Sequence, residues 1–262
     1  MNAQKKYHYK AASKQVLGDL HTPVSIYLKV RDVYPESVLL ESSDFSASED
    51  SLSFIALHPI ARVGINSGIC TSQFPDGTIV EKPLSGTFGV AEALNGFMSK
   101  FEVTGQHADV CGLFGYTAFD AVRYLEKIAV IESHQTENDA PDLLYILYKY
   151  ILVFNHYKDE LTLIELTETG ELPNLEALET LIANRNYASY DFTINGQERS
   201  PITDEKYREM VRKGISHCLR GDVFQVVLSR RFEQPFLGDD FKVYRALRSV
   251  NPSPYLFYFD FG

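Results

Sequence analysis

Residues 221–258 read GDVFQVVLSRRFEQPFLGDDFKVYRALRSVNPSPYLFY, and this run constrains the architecture more than any other part of the chain. Its side chains alternate between two faces over residues 223–232, which predicts a strand. One face is almost entirely apolar and should meet a core, whereas the other carries Gln225, Ser229 and Arg231. A partly exposed sheet face would explain this polar row, and a ligand-binding face is the alternative.

One predicted helix precedes this strand and a second follows it. The first shows apolar residues at helical spacing, with Thr203 as the N-cap and Gly221 as the C-cap. The second is capped by Asp239 or Asp240 and ends at the NPSP turn, residues 251–254. Prolines at alternate positions keep this turn extended and without N–H donors. Its carbonyl groups could bind a ligand ammonium, or the turn could simply lead into the next strand.

The motif GDVFQVVLSRRF followed by NPSPYLFY resembles component I of anthranilate synthase, among the chorismate-utilising enzymes. The order and separation of the two motifs are highly specific. Isochorismate and salicylate synthases are similar over the strand but carry a water-activating lysine where this chain has Gln225. Glutamine cannot act as a base, which fits the members that use ammonia. Aminodeoxychorismate synthase component I is the nearest alternative, and NPSPYLFY is more similar to the anthranilate branch.

The resemblance also implies a feedback site for tryptophan, in which LLES (residues 39–42) pairs with NPSPY. Glu41 and the turn carbonyls would hold the ligand ammonium, and the hydroxyl or backbone N–H of Ser42 its carboxylate. Without the resemblance, Glu41 would be interpreted as a surface charge at a strand end and Ser53 as an ordinary strand hydroxyl. Three of the candidates would shape the slot for the indole ring: Leu40, Tyr255 and Leu256. The full set of candidate tryptophan-binding residues is Leu40, Glu41, Ser42, Ser53, Asn251, Pro254, Tyr255 and Leu256.

The activity that the resemblance implies is that of a lyase of tryptophan biosynthesis. Such enzymes convert chorismate and ammonia to anthranilate and pyruvate, with Mg²⁺ holding the substrate and a glutamine amidotransferase subunit supplying ammonia. The family's magnesium-binding glutamates and catalytic histidine correspond to positions after Gly262, so Gln225 is the catalytic candidate here and no metal ligand is expected. The chain stops inside an apolar strand, which indicates truncation and predicts an inactive piece. The alternative from another functional class is a non-catalytic amino-acid sensing module.

The composition is that of a soluble globular protein without nucleic-acid or membrane partners. The 262 residues carry a net charge of −10, and 45% of them are hydrophobic. Three separated cysteines indicate neither a disulfide framework nor a zinc site, and the seven histidines show no paired spacing. There is no signal peptide or membrane-spanning run, so a cytoplasmic protein is expected.

The rest of the chain alternates between strand and helix patterns. A Thr22-Pro23 start predicts a helix that ends before Pro35, and Pro75-Asp76-Gly77 predicts a hairpin turn. Further helices are predicted at residues 90–101 and 171–184. Loops or linkers are predicted at residues 45–50, 133–142 and 184–201. Strands are predicted at residues 37–42, 53–57, 61–70, 78–80, 143–154, 161–166 and 255–261.

The segment GLFGYTAFDAVRYLE, from Gly112 to Glu126, also resembles the family but lacks a phosphate-loop pattern. Its glycines, Gly112 and Gly115, are expected to permit close backbone packing. Asp120 and Arg123 lie one helical turn apart and are expected to pair with each other. All four residues are therefore assigned structural roles.

These patterns predict an α+β fold with two largely antiparallel sheets packed orthogonally, flanked by helices and truncated within the fold. Residues 1–190 would form an N-terminal regulatory and scaffold region that contains the LLES strand. Residues 200–262 would begin the chorismate-binding region and leave it incomplete.

Overall fold

The computed structural model describes residues 6–42, 51–127 and 140–262. The predicted loop at residues 45–50, and most of the one at 133–142, lie outside these ranges. The helices of the described residues are α1 (Pro23–Val30), α2 (Val90–Met98), α3 (Leu175–Ala183), α4 (Asp204–Arg220) and α5 (Phe241–Val250). The strands are β1 (Tyr7–Leu17), β2 (Val38–Ser42), β3 (Leu52–Asn66), β4 (Ile69–Gln73), β5 (Ile79–Pro83), β6 (Phe101–Gly105), β7 (Leu113–Thr117), β8 (Leu143–Asn155), β9 (Glu160–Glu168), β10 (Phe192–Ile194), β11 (Phe236–Gly238) and β12 (Tyr255–Phe259).

Ten of these strands form one sheet built around β3 and β8. The main path runs β12-β2-β3-β8-β9-β1-β6, while β4 and β5 extend from β3, and β7 pairs with the beginning of β8. Every pair is antiparallel except β1 with β6. The predicted α+β class with largely antiparallel strands is confirmed. The second sheet of the described residues is the short pair β10-β11.

The large sheet has two halves that face each other across a core. Both β3 and β8 run through both halves, and their register shifts between Pro59 and Ala61. The ring of Tyr7 on β1 stacks on Phe74 at the β4–β5 turn, with ring centroids 5.7 Å apart. Phe74 in turn stacks on Phe97 of α2 at 5.5 Å. Aromatic contacts therefore tie the two halves together and enclose α2's buried face.

The opposite face of the β2–β3–β8–β9 region is covered by α1 and α3. Helix α1 packs on β2 and β3, and α3 packs on α1 and β9. The predicted start of α1 is confirmed, because the Thr22 hydroxyl accepts a hydrogen bond from Ser25 N at 3.1 Å, and Pro23 is the first helical residue. Tyr27 of this helix is fully buried, and its ring meets Tyr258 of β12 edge-on at 5.7 Å. Strand β12 is therefore held by α1 as well as by β2.

Strand β1 was not predicted, although it lies between β9 and β6 in the sheet. Its sequence, YHYKAASKQVL, is mostly polar, and of its residues only Tyr9 and Ala11 are buried among the core side chains. Backbone pairing with two neighbours stabilises this strand without the apolar alternation that marks other strands. The predicted helix at residues 90–101 also ends early, because Phe101 begins β6 and pairs with Tyr7.

The two glycines of the GLFGY motif have different surroundings. A Cβ on Gly115 would overlap the carbonyl oxygen of Leu144 on the neighbouring strand β8, so the predicted close packing is confirmed there. A Cβ on Gly112 would meet nothing within 4 Å, so the same prediction is wrong for that residue. Only Gly115 pairs directly with a neighbouring strand, opposite Tyr145.

The predicted pair between Asp120 and Arg123 is wrong. Arg123 instead binds Asp142, with Nη2 to Oδ distances of 2.8 and 2.9 Å, and the same nitrogen lies 3.0 Å from the hydroxyl of Tyr124. Asp142 also accepts hydrogen bonds from Tyr124 Oη at 2.7 Å and Ser67 N at 3.1 Å. Phe119–Tyr124 form a 3₁₀ turn, and Arg123 within it reaches Asp142, the residue just before β8.

Replacing Arg123 by methionine is therefore expected to lower the free energy of unfolding by about 1–2 kcal/mol, because the partly buried Asp142 loses its cation. Asp120 is exposed, so Asp120→Asn should change stability by less than about 0.5 kcal/mol. Urea unfolding of both variants, followed by circular dichroism, measures the difference. Equal stability losses in the two variants would contradict this assignment.

The chain divides into two compact units, one of Met1–Ala188 with Asn251–Gly262 and the other of Ser189–Val250. The second unit contains β10, β11, α4 and α5. The predicted caps of α4 are confirmed: the Thr203 hydroxyl accepts from Lys206 N at 3.3 Å, and Gly221 adopts φ 81°. Asp239 caps α5 by accepting from Phe241 N at 3.1 Å.

The predicted strand at residues 223–232 is wrong for the described residues, where this segment forms no ladder. A strand needs a neighbour for its backbone N–H and C=O groups, and the second unit offers none along this segment. Side-chain contacts with α4 hold it instead: Tyr207 Oη donates to the carbonyl of Leu228 at 3.2 Å, and Arg230 pairs with Asp204 at 2.6 Å. Part of the predicted apolar face does meet a helix, since Leu228 lies beside Gly214.

Candidate functional site

The two segments predicted to share one site meet where β12 pairs with β2. The strands are antiparallel, with Tyr255 opposite Ser42 and Leu256 opposite Glu41. Because Tyr255 is the first residue of β12, Pro254 and the rest of the NPSP turn lie at the same end of the sheet as Ser42. The structure thus brings together LLES and NPSPY. Their role in binding tryptophan stays a prediction.

Glu41 is buried, with 5% of its surface exposed, so the interpretation as a surface charge is wrong. Strand alternation places its side chain on the same face as Leu256, which lies opposite it on β12. Leu40 pairs with Phe54, so the next residue of β3 in register, Ser53, lies opposite Glu41 and on the same face. A carboxylate is buried at low cost only where cations or hydrogen-bond donors meet it. Glu41, Leu256 and Ser53 share one face at this end of the sheet.

A second cluster links Ser42 to β3 and β8. The backbone N–H of Ser42 donates to Ser53 Oγ at 3.0 Å, and Ser53 Oγ lies 2.7 Å from Nε2 of His156. Ser53 is 1% exposed, and its hydroxyl joins β2 to the end of β8, so it is more than an ordinary strand hydroxyl. Since the N–H of Ser42 is engaged with Ser53, its hydroxyl is the group left for a ligand carboxylate.

His156 is the residue that the sequence interpretation missed. It lies in the turn directly after β8, and a lone histidine without paired spacing gives no sequence signal for a site. The register of β3 with β8 reveals it, because Ser53 pairs with Phe154. His156 lies two residues after Phe154 and therefore on the same face as Ser53. The ring of His156 packs on that of Phe154 with centroids 5.2 Å apart.

The residues predicted to shape the indole slot lie on two faces of the sheet. Leu256 shares the face of Glu41, whereas Leu40 and Tyr255 share the face of Ser42. Tyr255 is 74% exposed, and Leu40 packs on the core between the two halves of the sheet. A ligand that touches both sets must bind at the strand ends, next to the turn. Asn251 and Pro254 are exposed in that turn.

Gln225, the candidate catalytic residue, belongs to the second unit and is exposed. It lies in the irregular segment after α4, outside the cavity of about 380 Å³ that this unit contains. That cavity is mostly apolar and is lined by Met210, Lys213, Gly214, His217, Val223, Val226 and Leu228. Gln225 is therefore not among the residues that line this cavity.

The described residues contain no group of three or more His, Cys, Asp or Glu side chains arranged to hold a metal ion. These residues therefore do not fit a magnesium site of their own. Within the same residues, no helix has the length and apolar character needed to cross a bilayer.

The described cysteines are unbridged. Cys70 and Cys111 are buried and Cys218 is exposed. Burial raises the pKa of the Cys111 thiol to about 11, so this thiol stays protonated and unreactive near neutral pH. Neither buried cysteine lies among the candidate site residues.

A family model and similar curated proteins agree that the chain is related to chorismate-binding enzymes. The family model described as chorismate binding enzyme matches residues 67–262. Anthranilate synthase component 1 of Thermus thermophilus is 32% identical over 260 residues, which are 95% of this chain and 53% of that protein. The same component of Acinetobacter calcoaceticus is 31% identical over 265 residues, covering 93% of this chain and 51% of that protein.

A solved structure has the same fold. The crystal structure of anthranilate synthase component I from Streptococcus pneumoniae TIGR4 matches with a TM-score of 0.58 and 25% identity. The match covers 80% of this chain and 48% of the solved one. The chain thus spans about half the length of the curated relatives it matches.

Proposed function

Because the chain belongs to the chorismate binding enzyme family, we propose that it is part of component I of an anthranilate synthase. The reaction combines chorismate with ammonia and yields anthranilate, pyruvate and water. The similarity to component 1 proteins over 95% of the chain supports this branch over the aminodeoxychorismate branch.

The same proposal includes feedback control by L-tryptophan, bound at the ends of β2 and β12. The observation that carries it is the pairing of Leu256 with the buried Glu41. An α-amino acid needs an anionic group for its ammonium, donors for its carboxylate and an apolar surface for its side chain. Glu41, the Ser42 hydroxyl and Leu256 provide these three features at one end of the sheet.

Other groups that the reaction needs would lie outside the described residues. We propose that Mg²⁺ holds chorismate through ligands elsewhere in the complete protein, since no described cluster fits it. A glutamine amidotransferase subunit would supply ammonia, and the enzyme would work in the cytoplasm. Gln225 would contact substrate without acting as a base, because an amide does not take up a proton near neutral pH.

The test uses the product of the complete gene beside the 262-residue chain. Each is incubated with chorismate, an ammonium salt and Mg²⁺, and anthranilate fluorescence is followed with and without L-tryptophan. We expect the complete product to form anthranilate, tryptophan to suppress it, and the 262-residue chain to be inactive.

Any other outcome of this assay would contradict one specific part of the proposal. Anthranilate formation that ignores tryptophan would remove the feedback site and keep the enzyme. Consumption of chorismate without anthranilate would favour the aminodeoxychorismate branch, and absence of consumption would favour a sensing module. Turnover by the 262-residue chain alone would contradict the expected inactivity.

A further inference from the structure

The hydrogen-bonded series Ser42–Ser53–His156 joins three strands beside the proposed ligand site. Ser42 ends β2, Ser53 lies near the start of β3, and His156 follows β8 directly. The paired residues of β2 and β3 run only from Val38 to Leu40 on β2. Beyond them the Ser53 side chain, rather than the β3 backbone, receives the N–H of Ser42. The position of Ser42 therefore depends on the rotamer of the buried Ser53 as well as on its pairing with Tyr255 of β12.

His156 contacts the Ser53 hydroxyl. A serine hydroxyl has three staggered positions, and burial alone does not select among them. The 2.7 Å contact between Ser53 Oγ and His156 Nε2 favours the position that also accepts from Ser42. A hydroxyl has two acceptor lone pairs and one proton, so it can bond both neighbours with either tautomer of the imidazole.

The imidazole is itself held in place. The N–H of His156 donates to the carbonyl of Ser51 at 3.1 Å, which fixes its backbone against the start of β3. Its ring rests on Phe154, the residue that pairs with Ser53. A rigid ring thus supports the serine, and the serine supports the last residue of β2.

We propose that His156 is a positioning residue of the amino-acid site and acts on the ligand through Ser53 and Ser42. This inference rests on the proposed tryptophan site. His156 does not touch the ligand. It holds the end of β2 in place, so that the Ser42 hydroxyl is already positioned next to Tyr255 to bind the ligand carboxylate. Preorganisation of this kind increases affinity because the ordering is complete before binding.

The test measures the affinity of the 262-residue chain for L-tryptophan; the chain contains no tryptophan residue of its own. The indole fluorescence of L-tryptophan therefore reports the ligand alone in equilibrium dialysis. His156→Leu is expected to weaken binding about tenfold, because Ser53 loses its partner and Ser42 its fixed position. His156→Gln, whose amide reaches about as far as Nε2, should bind within about threefold of the unsubstituted chain.

A double-mutant cycle separates positioning from general destabilisation. Ser53→Ala should also weaken binding about tenfold, and adding His156→Leu to it should cause less than about a twofold further loss. Independent effects would instead multiply to about 100-fold. His8→Leu serves as a matched control, because His8 is about half exposed on β1 and should leave affinity unchanged.

His156→Asn gives a second bond-breaking variant if the leucine variant does not fold, since its amide is too short to reach Ser53. Unchanged affinity in a folded Leu or Asn variant, or a multiplicative cycle, overturns the positioning role and leaves the site intact. Failure of the unsubstituted chain to bind tryptophan overturns both the site and the role proposed for His156.

Discussion

Replacing Gly115 by alanine is expected to lower the free energy of unfolding by about 3 kcal/mol. A Cβ at this position would overlap the carbonyl oxygen of Leu144 and lie 2.7 Å from the Cα of Tyr145. Both are backbone atoms of β8, which is paired along its whole length with β3 and cannot move aside. Strand β7 would have to separate from β8 and lose ladder hydrogen bonds.

Gly112→Ala is the matched control, because it adds the same methyl group three residues away in open space. It should change the free energy of unfolding by less than about 0.5 kcal/mol. Urea unfolding with an unchanged m-value would establish that the native state, and not the denatured ensemble, is affected. Equal stability of the two variants would show that β7 does not lie against β8 as described.

Replacing Glu41 by glutamine is expected to weaken L-tryptophan binding about 100-fold, which corresponds to about 2.7 kcal/mol. Glutamine keeps the shape of the side chain and removes the charge that would pair with the ligand ammonium. Because Glu41 is buried beside Leu256, the lost attraction would be little screened by water. Equilibrium dialysis with the intact chain measures the effect.

Two controls distinguish recognition of the ammonium from damage to the fold. Glu81→Gln makes the same change on an exposed residue of β5 and should leave affinity unchanged. Indole-3-propionate lacks the ammonium group, so it should bind the original chain about 100-fold more weakly than tryptophan does and should be nearly unaffected by Glu41→Gln. Equal losses for both ligands would rule out a contact between Glu41 and the ammonium.

Local patterns predicted the elements whose signals lie within a few neighbouring residues. The caps Thr22, Thr203 and Gly221 satisfy backbone groups of their own helices, so the helix boundaries they mark were correct. The resemblance of the motifs similarly predicted a pairing of LLES with NPSPY, which β2 and β12 form. In each of these cases the information is local or is carried by a recognisable motif.

Predictions failed where a partner was needed from elsewhere in the chain. Residues 223–232 alternate as a strand should, yet form no ladder because the second unit provides no neighbouring strand along them. Arg123 binds Asp142, 19 residues away in the sequence, rather than Asp120, because folding places Asp142 beside the Phe119–Tyr124 turn. Strand β1 was missed because its stability comes from pairing with β9 and β6.

The amino-acid sequence by itself determined the α+β class, the helix ends marked by caps and the two motifs of the proposed ligand site. Only the tertiary structure decided that Glu41 is buried, that Leu40 and Leu256 lie on opposite faces, and that His156 supports Ser53. The physical reason is that capping and periodicity act over a few residues. Burial and register depend on which distant strands become neighbours, and one residue of register changes the face on which every side chain lies.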